Sequence, residues 1–444
     1  MSTAIFDDFK GPGGKPANFP NGITVGGGNM GGINQIGIAG SAGFGCGVCP
    51  GPLPVGMTGL QGYTDPTSAN YGNYIFTDGS VMVWVPAFYY KYGTGSNGVA
   101  LNGLDIKAFS YFADVATANA SGYALHRAFY DGGVQPGVFV DKYIPSNNGG
   151  IASSLKNGNP LSTAADHAPL SGLTGAPANF YYGAVAAAKT RGVNFFANSR
   201  FIQAALALLS LAHAQASSTT TWCAWYNATY NFPKGNNNNA LGDTNDAALV
   251  FVSDGSAYPN CSKSGSANLF ARTTHNGQNC GIADLNGNLW EVGLGFTTND
   301  AGTGYYVLKT TARMKDVTGG TGGATDLWGA AGLAALYDSL GATYGAALAS
   351  STAKYYGSAT QVLSEATSGL PWQAAGLGIP LVGGVGGTNL FGSDYFVDYR
   401  PAAMCPLSGG DFTTGSNAGV WAFTLDGVRG NASGYVGFRS ALYL

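Results

Sequence analysis

Cysteine and histidine side chains offer the widest chemical repertoire in this 444-residue chain. Cys46 and Cys49 form a C-x-x-C pair inside a Gly- and Pro-rich stretch, a spacing that occurs in zinc sites and redox motifs. A zinc site would need a second pair or suitably spaced histidines, and a redox motif would lie between a strand and a helix. The sequence around the pair offers neither context, so we expect two loop thiols or a small disulfide loop. The other cysteines are Cys223, Cys261, Cys280 and Cys405.

The histidines do not form a recognisable metal motif. They are far apart in the sequence and lack the spacing of metal ligands, as their positions show: His126, His167, His213 and His275. His213 lies on a predicted helix without a partner residue on the next turn. We therefore expect its ring to be satisfied by a loop rather than by a metal ion.

The segment from His275 to Val292, HNGQNCGIADLNGNLWEV, carries the most informative pattern. Its two Asn-Gly dipeptides predict turns. Leu289 and Trp290 then begin a strand with a buried aromatic side chain. Two further glycine-containing motifs follow near the C-terminus, SGGDF at 408–412 and YVGFR at 435–439.

Strands and helices of moderate length must position these motifs. Asp78-Gly79 is a strong turn signal and predicts a hairpin over residues 71–92, and GVFVDKY predicts a strand at 137–143. The clearest helix is predicted from about Ser199 to Ala216, with Ser199 as its N-cap. A second helix is expected at about 182–189. Gly-rich stretches at 318–333 and 376–393 are interpreted as long loops.

Composition and charge exclude several classes of protein. The chain has 71 Gly and 19 Pro, 45% hydrophobic and only 10% charged residues. Disorder needs low hydrophobicity and high charge, collagen needs a glycine period, and a coiled coil needs more Glu, Lys and Arg. A net charge of −3 leaves no basic footprint for nucleic acid.

Targeting signals are equally weak. The most apolar helical stretch, residues 201–216, is too short to span a bilayer. The first residues, MSTAIFDDFKG, lack the apolar core of a signal peptide, so we do not expect a secretory route.

Three motifs in this order resemble the C-type-lectin-like fold of the formylglycine-generating-enzyme branch. The resemblance covers roughly residues 70–444 and implies an α+β domain with long loops. It also implies that Trp290, Phe438 and Arg439 are structural core residues, with Arg439 paired to a carboxylate or to backbone carbonyls. The motifs are Gly287-Asn288-Leu289-Trp290-Glu291, Gly409-Gly410-Asp411-Phe412 and Gly437-Phe438-Arg439.

Enzymes of this branch use residues that the chain lacks. The formylglycine-generating enzymes bind copper with a cysteine pair in the C-terminal third, where this chain has only Cys405. The sulfoxide-forming relatives use a histidine-rich iron site with an H-x-x-x-E-like helix, whereas Ala214, Gln215 and Ala216 follow His213 here. Catalysis of the family type is therefore not expected.

A non-catalytic group of the same fold is more similar in layout. These are phage receptor-binding proteins, typified by the major tropism determinant, which bind ligand through the last segment of a C-terminal lectin-like domain. The resemblance implies a receptor-binding surface on residues 411–435, whose polar and aromatic side chains suit adaptable contacts. The predicted receptor-binding residues are Asp411, Thr413, Thr414, Asn417, Trp421, Phe423, Asp426, Asn431 and Tyr435.

A structural calcium ion is an alternative that the resemblance raises for the loop before Trp290. In the enzymes the matching positions are the side chains of Asp284 and Glu291 and the backbone oxygens of Gly287 and Leu289. Oxygen ligands at this spacing suit calcium. The competing interpretation, which we favour, is that Glu291 caps or forms a salt bridge within the core turn, with no cofactor bound.

The sequence thus predicts a phage tail-fibre or receptor-binding protein. Residues 1–60 would form a Gly-rich region for trimerisation and virion attachment, and residues 61–444 the receptor-binding domain. The expected partners are a bacterial surface receptor, other virion tail proteins and two further copies of the chain, with no nucleic acid. The chain would be made in the host cytoplasm and function in the virion tail. The alternatives are an oxidoreductase of the formylglycine-generating type and a host-encoded display protein.

Overall fold

The chain folds around four α-helices and many short strands in the residues described by the computed structural model. The described residues are 24–25, 28–29, 33–173, 176–228, 232–244, 246–317, 328, 333–341, 352–357, 360–382, 391, 394–399 and 401–444. The helices are α1 (Val115–Ala120), α2 (Phe180–Lys189), α3 (Arg200–Ala216) and α4 (Gly369–Ala375). The α+β class predicted from the sequence is confirmed.

The strands are short, as expected for a chain rich in glycine and turn residues. In chain order they are β1 (Thr24–Val25), β2 (Gly28–Asn29), β3 (Met57–Gly59), β4 (Asn73–Phe76), β5 (Val81–Pro86), β6 (Phe88–Tyr92), β7 (Leu104–Ala108), β8 (Ala124–Leu125), β9 (Gly137–Asp141), β10 (Ser146–Asn148), β11 (Ile151–Ser153), β12 (Phe196–Ala197), β13 (Trp290–Val292), β14 (Phe296–Thr298), β15 (Tyr305–Leu308), β16 (Tyr337–Gly341), β17 (Thr352–Tyr355), β18 (Tyr395–Asp398), β19 (Leu407–Ser408), β20 (Phe423–Thr424), β21 (Val436–Gly437) and β22 (Ser440–Leu442).

Two six-stranded sheets organise the domain. One has the order β12-β22-β9-β5-β4-β3, and the other has the order β17-β18-β20-β19-β13-β21. The second sheet is mixed, because β13 pairs parallel with β21 and β18 pairs parallel with β20. The last two strands, β21 and β22, belong to different sheets, so the C-terminal segment joins the two sheets across the core.

The predicted hairpin and helices are confirmed with small shifts of their ends. Strands β4 and β5 pair antiparallel around a turn in which Gly79 has a φ of +85°. Helix α3 begins after Ser199, whose hydroxyl accepts a hydrogen bond from the Ile202 amide at 3.2 Å. Every residue of α3 from Arg200 to Ala214 is buried, so the helix lies inside the domain rather than on its surface. None of the helices in the described part of the chain is both long and apolar enough to cross a membrane.

Residues 33–59 pack into the same core as the rest of the chain. Phe44 is fully buried and stacks on His213 of α3 with ring centroids 5.2 Å apart. Strand β3 forms the edge of the first sheet through its pairing with β4. The predicted domain boundary at residue 60 is therefore wrong for this stretch, because its aromatic and sulfur side chains contribute to the domain core. Most of residues 1–32 lie outside the described residues, and trimerisation through them stays a prediction.

Candidate functional site

The predicted receptor-binding residues divide into an exposed and a buried set. Thr413, Asp426, Asn431 and Tyr435 are exposed, and Tyr435 presents 37% of its surface to solvent. Thr414 and Asn417 are partly exposed. Asp411, Trp421 and Phe423 are buried. A face formed by all nine side chains therefore does not exist.

Trp421 and Phe423 are core residues, which corrects the prediction that they contact a receptor. Trp421 lies in a turn and packs against Tyr356 and Phe391, with ring centroids 5.3 and 5.1 Å apart. Phe423 stacks on Phe396 at 5.5 Å, and the Arg200 guanidinium lies 4.0 Å from its ring centroid. Phe423 is enclosed because β20 lies inside the sheet, between β18 and β19, and both of its residues are buried.

Asp411 shapes the loop that presents its neighbours. Its Oδ1 accepts hydrogen bonds from the Thr413 amide at 2.6 Å, the Thr413 hydroxyl at 2.7 Å and the Thr414 hydroxyl at 3.1 Å. Burial raises the pKa of the Asp411 carboxyl, and these hydrogen bonds oppose that shift. Asp411 is thus a turn-forming residue, and Thr413 is the exposed position that this turn supports.

Loops that are distant in sequence meet around Tyr435. Its ring lies 5.1 Å from that of Phe412 and 5.6 Å from that of Tyr258, measured between centroids. The Asn239 amide donates to the Phe412 carbonyl at 2.5 Å, and the Asn260 side chain donates to Asn239 Oδ1 at 2.8 Å. We call the surface formed by Asn239, Tyr258, Asn260, Thr413 and Tyr435 the loop face.

Further hydrogen bonds hold the loop face in place. The Thr163 hydroxyl donates to the Ser433 carbonyl at 3.0 Å and accepts from the Ser433 amide at 2.8 Å. The Gly415 amide donates to the Asn237 carbonyl at 2.6 Å. The loop face therefore rests on a fixed framework of backbone contacts. Tyr258, Asn239 and Asn260 were not predicted from the sequence, because only the tertiary fold brings their loops beside Tyr435.

The predicted calcium positions do not fit a calcium ion. Both carboxylate oxygens of Glu291 accept hydrogen bonds from Arg439 Nε, at 2.8 and 2.9 Å, and both side chains are buried. Asp284 Oδ2 accepts from the Gly265 amide at 2.6 Å and from the Ser264 hydroxyl at 3.2 Å. The Arg439 guanidinium lies beside Glu291, in the position that a calcium ion bound by this carboxylate would have to take. Glu291 and Arg439 instead form a salt bridge within the core turn, which is the interpretation favoured from the sequence.

Trp290 and Phe438 are buried members of the main hydrophobic cluster, as predicted. Leu289 belongs to a smaller neighbouring cluster with Ile144, Cys261 and Phe412. Arg439 also donates to the backbone carbonyls of Asp141 and Lys142. These residues therefore hold the domain together, and the Leu289 cluster packs beneath Tyr258 of the loop face.

Loops enclose His213, and the cysteines are buried. His213 Nδ1 accepts from the Gly40 amide at 3.0 Å, and Nε2 lies 2.6 Å from the Trp222 carbonyl, so loops satisfy the ring as predicted. Burial raises the pKa of the Cys405 thiol to about 12. The six cysteines are all unpaired and buried, so the C-x-x-C pair does not form a disulfide loop. Cys46 lies instead beside Cys280, since the Asn276 side chain donates to both sulfur atoms at 3.5 Å.

Comparison with known proteins gives distant structural neighbours only. No protein-family profile and no curated protein sequence matches the chain. Among solved structures, the Major Tropism Determinant U1 variant aligns with a TM-score of 0.30 and 11% identity, and the M1 variant with 0.30 and 12%. Each alignment covers 82% of this chain and 63% of the other, so the chain spans less than two thirds of their length. At this level of similarity the two structures do not assign a function to the chain.

Proposed function

We propose that the chain is a non-catalytic receptor-binding protein of a phage virion, with a C-type-lectin-like domain that binds a bacterial surface structure through the loop face. It acts as a homotrimer attached to other tail proteins. The three sequence motifs support the lectin-like fold, because Trp290, Glu291 and Arg439 form one connected core.

The loop face is the observation that carries the proposal. It combines an exposed aromatic ring, Tyr435, with partly exposed Tyr258 and with amide and hydroxyl groups on fixed loops. Tyrosine supplies contact area at a low cost in conformational entropy, and Asn and Thr supply adaptable hydrogen bonds. Such a surface suits a glycan or a protein epitope. Three copies in a trimer would also strengthen weak single contacts through avidity.

An oxidoreductase of the formylglycine-generating type is the second candidate, and it would act through Cys405. That thiol is 1% exposed, and its raised pKa keeps it protonated near neutral pH. A nucleophilic or metal-binding cysteine needs thiolate character and access. The burial and raised pKa of Cys405 therefore support a receptor-binding function over an oxidoreductase that acts through this thiol.

Adsorption of the labelled full chain to a panel of bacterial strains tests the proposal. Tyr435→Ala is expected to weaken binding to a susceptible strain about fivefold or more, because aromatic anchors at recognition surfaces commonly contribute more than about 1 kcal/mol. Tyr111→Ala is the matched control, since Tyr111 is 40% exposed and packs instead beside Phe112 in another part of the chain.

The variants must keep the melting temperature of the parent chain for the comparison to hold. Equal loss of adsorption in both variants, or unchanged adsorption after Tyr435→Ala, would remove the loop face as the receptor site. Unchanged binding would direct attention to the described part of the 376–393 loop.

A further inference from the structure

We propose that His167, Asp254 and Cys261 bind a divalent transition-metal ion of the zinc class beneath the loop face. One potential ligand atom from each residue lies within 4.8 Å of the other two, and all three side chains are buried. Bonds of roughly 2.0–2.3 Å to a tetrahedral ion place its ligand atoms about 3.3–3.8 Å apart. His167 Nε2 and Asp254 Oδ2 lie 2.9 Å apart, so an ion between them requires these two atoms to separate by roughly 0.4 Å.

The orientation of His167 leaves its other nitrogen ready for a cation. His167 Nδ1 lies 2.7 Å from the Gly434 carbonyl, which can only accept, so Nδ1 carries the hydrogen. In the neutral ring, Nε2 then directs a lone pair at Asp254 Oδ2, 2.9 Å away. Two lone pairs at this distance repel unless a proton or a metal ion lies between them. A backbone carbonyl on the opposite ring nitrogen is the usual partner of a metal-ligating histidine.

Backbone pairing fixes the other two ligands side by side. Ser253 and Ser262 form an antiparallel bridge, and the Asp254 amide donates to the Cys261 carbonyl at 3.0 Å. Asp254 Oδ1 accepts from the Ser256 amide at 2.9 Å, so Oδ2, which lies 2.9 Å from His167 Nε2, is the oxygen that faces the cluster. The two ligands are therefore placed by the loop itself, before any ion binds.

The donor set selects the kind of metal. One imidazole nitrogen, one thiolate sulfur and one carboxylate oxygen are ligands of zinc, whereas calcium and magnesium require oxygen ligands. Three protein ligands leave the fourth tetrahedral position to water. Binding releases the Cys261 thiol proton to solvent, and no electron is transferred.

The site lies where three segments of the chain meet beneath the loop face. The Tyr258 ring lies 4.5 Å from that of His167 and 5.6 Å from that of Tyr435, between centroids. A bound ion would therefore hold the 163–169, 253–262 and 433–435 segments under Tyr258 and Tyr435. The inference does not depend on what the loop face binds.

Cobalt(II) titration of the chelator-treated full chain tests the site. One equivalent of cobalt is expected to give a thiolate charge-transfer band in the near ultraviolet and visible bands of tetrahedral intensity. Zinc should abolish these bands, and calcium in large excess should not. Cys261→Ser should remove the charge-transfer band, while the matched control Cys405→Ser, at another buried cysteine, should keep it.

His167→Gln and a second measurement guard against variants that fail to fold. The parent chain should bind one zinc per chain by elemental mass spectrometry and should melt at a higher temperature with zinc than without it. His167→Gln should reduce cobalt affinity at least tenfold. The proposal is overturned by the absence of bands in the parent chain, by a band that survives Cys261→Ser, or by a band that Cys280→Ser removes instead.

Discussion

Arg439 and Glu291 form a buried ion pair that connects the C-terminal segment to the core motif 148 residues earlier. Arg439 Nε contacts both carboxylate oxygens, and the guanidinium also donates to the carbonyls of Asp141, Lys142 and Ala283. One side chain thus fixes the junction between β21 and β22, where the chain passes from one sheet to the other.

Arg439→Met is expected to lower the free energy of unfolding by about 3–5 kcal/mol, because it leaves Glu291 as an unpaired buried carboxylate. Arg272→Met is the control. Its ion pair with Asp246 has a partly exposed guanidinium, so we expect a loss below about 1 kcal/mol. Denaturant unfolding of both variants beside the parent chain measures the difference.

The pH dependence of this loss provides a second check. Burial raises the pKa of Glu291, and Arg439 opposes that shift. Without the guanidinium the folded-state pKa rises further above the unfolded value, so the folded variant binds the extra proton. The difference in unfolding free energy between Arg439→Met and the parent chain should therefore shrink as the pH falls through the raised pKa of Glu291. A loss that is constant from pH 7 to pH 5 would argue against an ion pair.

The buried histidines predict loss of stability in acid. Burial lowers the pKa of His126 and His275 to about 3 and that of His213 to about 4. The unfolded chain binds these protons near pH 6.5, while the folded chain excludes them. Above pH 6.5 these histidines do not lower the free energy of unfolding. Below pH 6.5 each of them lowers it by about 1.4 kcal/mol per pH unit, until the pH reaches the pKa of that histidine in the folded chain.

His275→Gln tests the contribution of one ring. His275 Nδ1 accepts from the Ile282 amide at 3.1 Å, and Nε2 lies 3.2 Å from the Gly45 carbonyl. Glutamine offers a donor and an acceptor but does not titrate. The variant should show a shallower decline of unfolding free energy between pH 6.5 and pH 4, even if it is less stable at pH 7. A slope equal to that of the parent would show that His275 titrates normally.

Sequence patterns predicted the helices and the hairpin better than they predicted which side chains are exposed. Helix α3 follows from Ser199 and a long apolar run, and the β4–β5 hairpin follows from Asp78-Gly79, since these signals are local. Trp421 and Phe423 were predicted to contact a receptor because residue type alone cannot tell whether a segment is covered on both sides. The loop face and the His167 cluster depend on contacts between segments far apart in the sequence, which no local spacing reveals.

Two truncations should separate the N-terminal region from the domain core. Removing residues 1–32 is expected to leave the described domain folded, because within the described part of the chain β1 and β2 form a separate two-stranded sheet. Removing residues 1–60 also removes Phe44 and β3, and should cost at least about 3 kcal/mol, the range for loss of a large buried aromatic. Light scattering should show a trimer for the full chain and a smaller species for both truncations. A monomeric full chain at micromolar concentration would contradict trimerisation.

Gly434 and Gly430 offer a matched pair of substitutions on the loop that carries Tyr435 of the loop face. A Cβ at Gly434 would lie 2.6 Å from the Tyr258 ring, whereas a Cβ at Gly430 would meet no atom within 4 Å. Gly434→Ala must displace the Tyr258 ring, which packs on His167 and Tyr435.

We expect Gly434→Ala to cost about 1–3 kcal/mol of stability, the usual range for overpacking, and Gly430→Ala to be silent. The displaced ring should also weaken receptor adsorption and cobalt binding together, because the same tyrosine contacts both sites. Thermal unfolding, adsorption and cobalt titration of the two variants measure these effects. If Gly434→Ala leaves stability, adsorption and cobalt binding unchanged, Tyr258 does not connect the loop face to the His167 cluster. The loop face and the cluster then behave as independent parts of the domain.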